Sequence, residues 1–277
     1  MGPIEFTFLV LLTSVVAGLL GALTGLGGGV VIVPVLALIF RVDIRYAIGA
    51  SLVSVIATSS GAAVAYVREG FSNVRIGMFL EVATTLGALV GAYLTARIST
   101  RAIGITFGLT LLYSAWSSFR GAHDGMPQKP NALAETLNLR GDYPTESGRQ
   151  AYVAQNVPAG FSIMFVAGVL SGLLGIGSGA VKVLAMDRAM KLPFKVSTTT
   201  SNFMIGVTAA ASAGVYLSRG YIAPGLAAPV MLGVLAGSLA GAHLLVRIRV
   251  PVLRVIFAVV IVALGVEMIY SGATGGL

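Results

Sequence analysis

A short glycine-rich stretch occurs twice in this chain, each time inside an apolar run, and it limits the possible folds more than any other feature. The first copy runs from Thr24 to Val30 (T-G-L-G-G-G-V), the second from Leu174 to Ala180 (L-G-I-G-S-G-A). Each glycine in a helix interior costs about 1 kcal/mol against alanine, so each cluster predicts a broken helix. A break inside lipid exposes backbone polar groups, which are tolerated only where protein or a water-filled cavity receives them. Two breaks at matching positions of two halves point to the binding site of a transporter.

Composition agrees with a chain in lipid. Of 277 residues, 56% are hydrophobic and 10% charged, with mean hydropathy +0.93. Soluble domains carry about 25% charged residues, so the composition predicts a polytopic membrane protein. Cysteine is absent, which excludes disulfides, thiolate nucleophiles and cysteine metal sites. The net charge of +8 comes from basic residues in loops between apolar segments, as cytoplasmic loops require, and does not imply nucleic-acid binding. Only Glu5 is charged before Arg41. With no basic region at its start, the first apolar stretch is expected to be a retained helix, not a cleaved signal.

The expected spans are 4–23, 47–67, 76–98 and 102–119, then 159–174, 196–217, 221–246 and 252–270. After each break comes a run too short to cross, Val30 to Phe40 with Pro34 inside it and Ala180 to Met190, each read as a half-helix. Residues 120–157 are polar and divide a membrane repeat at 1–119 from a second at 158–277. This linker, expected to be cytoplasmic, has room for a small hairpin.

Shifting the chain by 150 residues superposes the halves. Gly18, Leu20, Leu23, Gly25, Gly27 and Gly29 meet Gly168, Leu170, Leu173, Gly175, Gly177 and Gly179. Gly87, Leu89, Gly91, Ala92 and Arg97 meet Gly237, Leu239, Gly241, Ala242 and Arg247. A single-residue gap is expected near Ser51 and Thr200. The fold class expected is therefore an all-α polytopic membrane protein of two homologous, inverted halves.

Three arrangements produce such a pattern. Re-entrant hairpins give three full spans per half and inversion; half-helices that cross give five and inversion; a crossing helix followed by a half-helix that only returns to the surface gives four and parallel halves. Inversion gathers Arg68, Arg75, Arg120, Arg188, Lys191, Lys195, Arg247, Arg249 and Arg254 on one side, with the linker's Lys129, Arg140 and Arg149 joining them. The other side then has Arg41, Arg45, Arg97, Arg101 and Arg219. The positive-inside rule makes the richer side cytoplasmic, and the count leans to inversion once the linker is included.

Half-helix N-termini present unpaired N–H groups and the positive end of a dipole. Two of them converging would cradle an anion, which makes Gly25, Gly27, Gly28, Gly29, Gly175, Gly177, Ser178 and Gly179 candidate substrate-binding residues. The plain alternative is close helix packing. Lys182 lies just past the second break, opposite Ile32 in the first half; at depth it would complement an anion, and near a surface it would snorkel. Ser51, with Ser54 beside it, and Thr200 and Asn202 in the stretch from Ser197 to Asn202 offer donors beside the breaks, or ordinary caps. Glu81, Glu267 and His243 are intramembrane ionisable groups, Glu81 and Glu267 being the candidates for proton coupling. No spacing makes a metal site, a nucleophile elbow or a phosphate loop, so neither an enzyme nor a cofactor is expected.

The paired motifs G-x-x-x-G-x-x-G-L-G-G-G and G-V-L-S-G-L-L-G-I-G-S-G, the stretch M-K-L-P-F-K-V-S-T-T-T-S-N, and G-S-L-A-G-A after the second Y-x-x-x-G resemble the sulfite exporter TauE/SafE family, also called the toluene-sulfonate uptake permease family. The resemblance covers nearly all of the chain outside the linker. Ser178 departs from the glycine usual at its position. The resemblance implies a multi-pass secondary transporter of the inner membrane that moves sulfur-containing anions such as sulfite or organosulfonates, by export or uptake. The residues alone lead to a transporter of a small anion, with alternating access around the breaks as the mechanism hypothesised and a proton or a sodium ion as the candidate coupling ion. An anion channel, or a carrier for a carboxylate, is the other reading.

Overall fold

The structure is a computed structural model, and it describes residues 2–24, 28–68, 72–119, 132–145, 148–245 and 250–276. Helix α1 (Pro3–Thr24) leads to the first break. The short α2 (Gly29–Pro34) continues as a π-helical turn (Val35–Ile39), and α3 (Ile44–Arg68), α4 (Val74–Leu94) and α5 (Thr100–Phe119) follow. The linker contains α6 (Ala132–Thr136) and strands β1 (Arg140–Thr145) and β2 (Gly148–Val153). Then come α7 (Val157–Leu174), α8 (Gly179–Leu184) with a π turn (Ala185–Ala189), α9 (Phe194–Ser218), α10 (Pro224–Leu245) and α11 (Val250–Thr274).

Stretches of α1, α4, α7 and α10 are long and apolar enough to cross a membrane: Ile4–Gly21, Val74–Leu94, Val157–Leu174 and Pro224–Gly241. They show why composition alone identified the solvent. On α1, Ile4, Phe8, Leu12 and Val16 form an exposed apolar stripe, as Met78, Val82, Leu86 and Val90 do on α4. Such ridges one helical turn apart are suited to lipid tails and not to water.

Both half-helices fall where the short apolar runs placed them, and each turns back. Phe40, at the end of the first, packs edge-on against Phe6 near the start of α1, with ring centroids 5.6 Å apart. At the end of the second, the Met190 carbonyl accepts from the Gln155 N–H at 2.9 Å, just before α7. The two turns repeat in detail. Phe40 N–H donates to the Val35 carbonyl and Met190 N–H to that of Ala185, the i to i−5 bond of a π turn. Arg41 and Lys191 then take φ of +53°.

The helices pair across the halves. Helix α4 runs alongside α7 in the same direction, and α1 alongside α10; α3 and α9 run antiparallel, as do α5 and α11. Contacts recur with roles exchanged. A Cβ on Gly87 would overlap the Phe165 carbonyl, and one on Gly237 would overlap that of Val15, each residue standing 150 from its counterpart. Only glycine permits this approach of backbones. Helices α3 and α9 keep the offset of 150 from first residue to last, so the single-residue gap expected near Ser51 and Thr200 is not needed. The counterpart of Ser51 is Ser201.

Along α3 and α9, Tyr46 stacks edge-on with Tyr221 at 5.7 Å, while a Cβ on Gly206 would crowd Ser59. The start of one helix therefore meets the end of the other. Arg45 Nη2 donates to the Ile98 carbonyl at 3.2 Å and Arg219 Nη1 to that of Tyr93 at 3.0 Å, which places Arg45, Arg97 and Arg219 at one end of the bundle.

The linker sits at the other end, and it corrects the strictly all-α expectation. Its strands form an antiparallel hairpin in which Arg140 faces Val153 and Pro144 faces Arg149. Proline is tolerated because both strands of a two-stranded ladder are edges. Leu139, Tyr152 and Ala154 are buried against Ile76, Met190 and Val196 at the helix ends. Asn73, which caps α4, donates through Nδ2 to the Tyr152 hydroxyl at 2.9 Å. Burial pushes the Tyr152 phenol above its ordinary range, although that hydrogen bond pulls the other way.

Candidate functional site

The second break is a run of left-handed backbone. Gly175 and Gly177 have φ of +68° and +67°, and Ser178 has +43°. Glycine adopts this region freely, whereas serine does so at a cost. The Ser178 hydroxyl donates to the Ala167 carbonyl at 2.5 Å, which folds the turn back onto α7. Its carbonyl starts α8 by accepting from the N–H groups of Val181 and Lys182, both at 3.1 Å.

Two hydroxyls at equivalent positions hold this turn. Ser51 of α3 donates to the Gly175 carbonyl at 2.8 Å, and Ser201 of α9 to that of Gly179 at 3.3 Å. The first break reaches the same place. A Cβ on Gly29 would stand 2.5 Å from Ser51 Oγ and 3.0 Å from the Gly175 carbonyl oxygen. The two breaks, 150 residues apart, thus touch through Ser51. Gly28 begins α2 in right-handed conformation, its carbonyl accepting from Val31 and Ile32. Gly25 and Gly27 lie outside the described residues.

Between the breaks is a small pocket. It is lined by Val30 from the first, by Ile176, Ser178, Gly179 and Val181 from the second, and by Thr110 and Ser114 of α5. Its walls are apolar with a few hydroxyls, and its volume of about 10 Å³ has room for one water molecule.

Lys182 does not line this pocket. It is fully buried, and its ammonium donates to Thr208 Oγ1 of α9 at 2.6 Å. Thr208 donates in turn to Glu81 Oε1 of α4 at 2.7 Å, and Thr85 to the same oxygen at 3.1 Å. Glu81 Oε2 is buried and has no hydrogen-bond partner among the described residues. Lysine and glutamate make no direct ion pair; the threonine stands between them. Lys182 is thus enclosed by the helices and does not reach their surface.

The other sequence candidates are dispersed. The Thr200 hydroxyl accepts from the Asn73 N–H at 3.0 Å, at the linker end. Asn202 is half-buried and forms no hydrogen bond among the described residues. Glu267 is exposed on α11. The side chain of His243 lies outside the described residues. Ser54 and Ser197 bond to the carbonyls of Ser51 and Leu192, at 2.8 and 3.5 Å.

Four residues at these sites were not singled out from the sequence: Ser201, Thr208, Thr110 and Ser114. Ser201, Met204, Ile205, Thr208 and Ser212 form the buried face of α9 at spacings of three and four, and Thr106, Thr110 and Ser114 recur every fourth residue on α5. These stripes are readable. They are also what ordinary helix packing by hydroxyl residues produces.

The geometry can be set beside known proteins. The chain is 28% identical to the probable membrane transporter protein YunE of Bacillus subtilis over 97% of its own length and 98% of that protein's. It is 26% identical to the probable membrane transporter protein YdhB of the same organism, over 84% and 88% of the two chains. No solved structure gives a significant match. The sulfite exporter TauE/SafE family matches residues 10–268, which takes in both breaks, the pocket between them and the Lys182–Thr208–Glu81 chain. This multi-pass membrane protein belongs to the sulfite exporter TauE/SafE family of membrane transporters.

Proposed function

We propose that the protein is a secondary transporter of the inner membrane that moves a small sulfur-containing anion, sulfite or an organosulfonate, by alternating access around the two glycine breaks. The observation that carries this reading is the pocket between the breaks, which draws its lining from both halves and from α5. A site shared by two halves can open to either side when they rock against each other. The sulfur chemistry rests on the family, and the anion on the half-helix ends that meet at Ser51.

Two homologous, inverted halves are part of the proposal. Support comes from the reciprocal glycine contacts and from the return of each half-helix towards its starting end, which leaves an odd number of net crossings per half. The antiparallel packing of the equivalent pairs α3 with α9 and α5 with α11 agrees. In this arrangement the linker and most basic residues share the cytoplasmic side.

The test is a thermal-shift screen of purified protein with sulfite, sulfate, thiosulfate and sulfoacetate against carboxylate controls. A sulfur anion at 100 times its dissociation constant stabilises by about 2.7 kcal/mol, and Thr110→Val with Ser114→Ala should lose that shift. Absence of selective stabilisation by every sulfur anion would reject the substrate class.

A further inference from the structure

We propose that Glu81 is the proton-carrying group of the transport cycle, and that Thr208 and Lys182 link its protonation to the second glycine break. This rests on the transporter reading and names the coupling ion for it. The three residues come from α4, α9 and α8, and all are buried.

Their hydrogen bonding is incomplete in a directed way. A threonine hydroxyl has one proton to give, and Thr208 Oγ1 has two acceptors within reach, Glu81 Oε1 at 2.7 Å and the Met204 carbonyl at 3.0 Å. It accepts from Lys182 at the same time. An ammonium has three donors, and Thr208 takes one; no other described residue receives the rest. Glu81 Oε2 is the buried acceptor left open.

A proton arriving from water has a vacant place on Oε2. Once it binds, the carboxyl is neutral and Thr208 turns its own proton to Met204. Lys182 then keeps its positive charge with no counter-charge. Its backbone N–H is bonded to the Ser178 carbonyl, so the residue that carries this charge is anchored one helical turn from Ser178 of the pocket wall. An anion entering there restores neutrality. One proton and one negative charge move together, and each raises the affinity for the other. Among the described residues, the titratable groups on the elements packed against α4 are few. Helix α7 has no titratable side chain; α9 has Lys195 near its start and Tyr216 near its end; beyond Lys182, the second half-helix has Asp187 and Arg188 in its π turn.

The test uses the whole purified protein in lipid nanodiscs, reading the infrared C=O stretch of protonated carboxyls across a pH titration with and without sulfite. The expected result is a band that Glu81→Gln removes, that Glu81→Asp shifts, and that persists to higher pH when sulfite is present. Thr208→Val should abolish the sulfite effect and Thr208→Ser retain it. A titrating band unchanged in Glu81→Gln overturns the proposal. A band indifferent to sulfite, in protein that sulfite stabilises against heat, overturns the linkage and leaves the anion reading standing. A Glu81 band that titrates while no sulfur anion stabilises the protein overturns the substrate class instead and upholds the proton seat.

Discussion

The half-helices that follow the two glycine breaks share a backbone plan but differ in chemistry. At the first, Ile32 is fully buried; at the second, the same position is Lys182, equally buried, tied through Thr208 to Glu81. The counterpart of Glu81 is Met231, and that of Thr208 is Thr58, whose hydroxyl bonds only within its own helix, to the carbonyls of Ser54 and Val55. One break is therefore apolar beyond its turn and the other is backed by two opposite charges. The half-helices recur at the same offset, while the two charged residues stand beside only the second.

The largest expected effect breaks that asymmetry. Lys182→Met leaves the Glu81 carboxylate buried without its threonine-linked cation; removal of one member of a direct buried ion pair costs about 3–5 kcal/mol, which is the upper bound here. Adding Glu81→Gln should recover much of the loss, which a double-mutant cycle on thermal unfolding will measure; equal loss in the single and double variants would show that the two groups are independent. A middle-sized effect tests the shared frame. Gly87→Ala and Gly237→Ala each drive a methyl into a facing carbonyl, and overpacking of this kind costs about 1–3 kcal/mol. The two losses should be alike, since the contacts are the same with roles exchanged; a large difference would break the correspondence of the halves. The smallest effect compares the two serines at the second turn. Ser51→Ala removes a hydrogen bond at 2.8 Å that joins the breaks, and should cost about 1 kcal/mol. Ser201→Ala, whose bond is longer at 3.3 Å, should cost less.

Much of the frame was legible in the residues. Helices occupy all eight expected spans, four of them long and apolar enough to cross a membrane. These and the half-helices follow from apolar run length and glycine density, both local properties. The linker hairpin was only allowed for, because Arg140–Thr145 contains Pro144 and no apolar alternation. Of the candidate substrate-binding residues, Ser51 and Ser178 make hydrogen bonds at the second turn, whereas Thr200 bonds to Asn73 at the linker end. It is Ser201 that bonds to Gly179, because one residue along α9 is a rotation of about 100°. Thr208 was passed over because hydroxyl residues along membrane helices usually bond back to their own helix, as Thr208 also does to Met204.

The sequence by itself determined the solvent, the position of each break and the offset that relates the halves, since composition and spacing act over a few turns of one helix. Only the tertiary structure decided who meets whom. Glu81 and Thr208 are 127 residues apart, and Thr208 and Lys182 are 26 apart. Helix packing chose their faces and so made one group of them. The same packing joined the breaks at Ser51, because glycine at position 29 lets the backbone come close enough for a single hydroxyl to stand between the two turns.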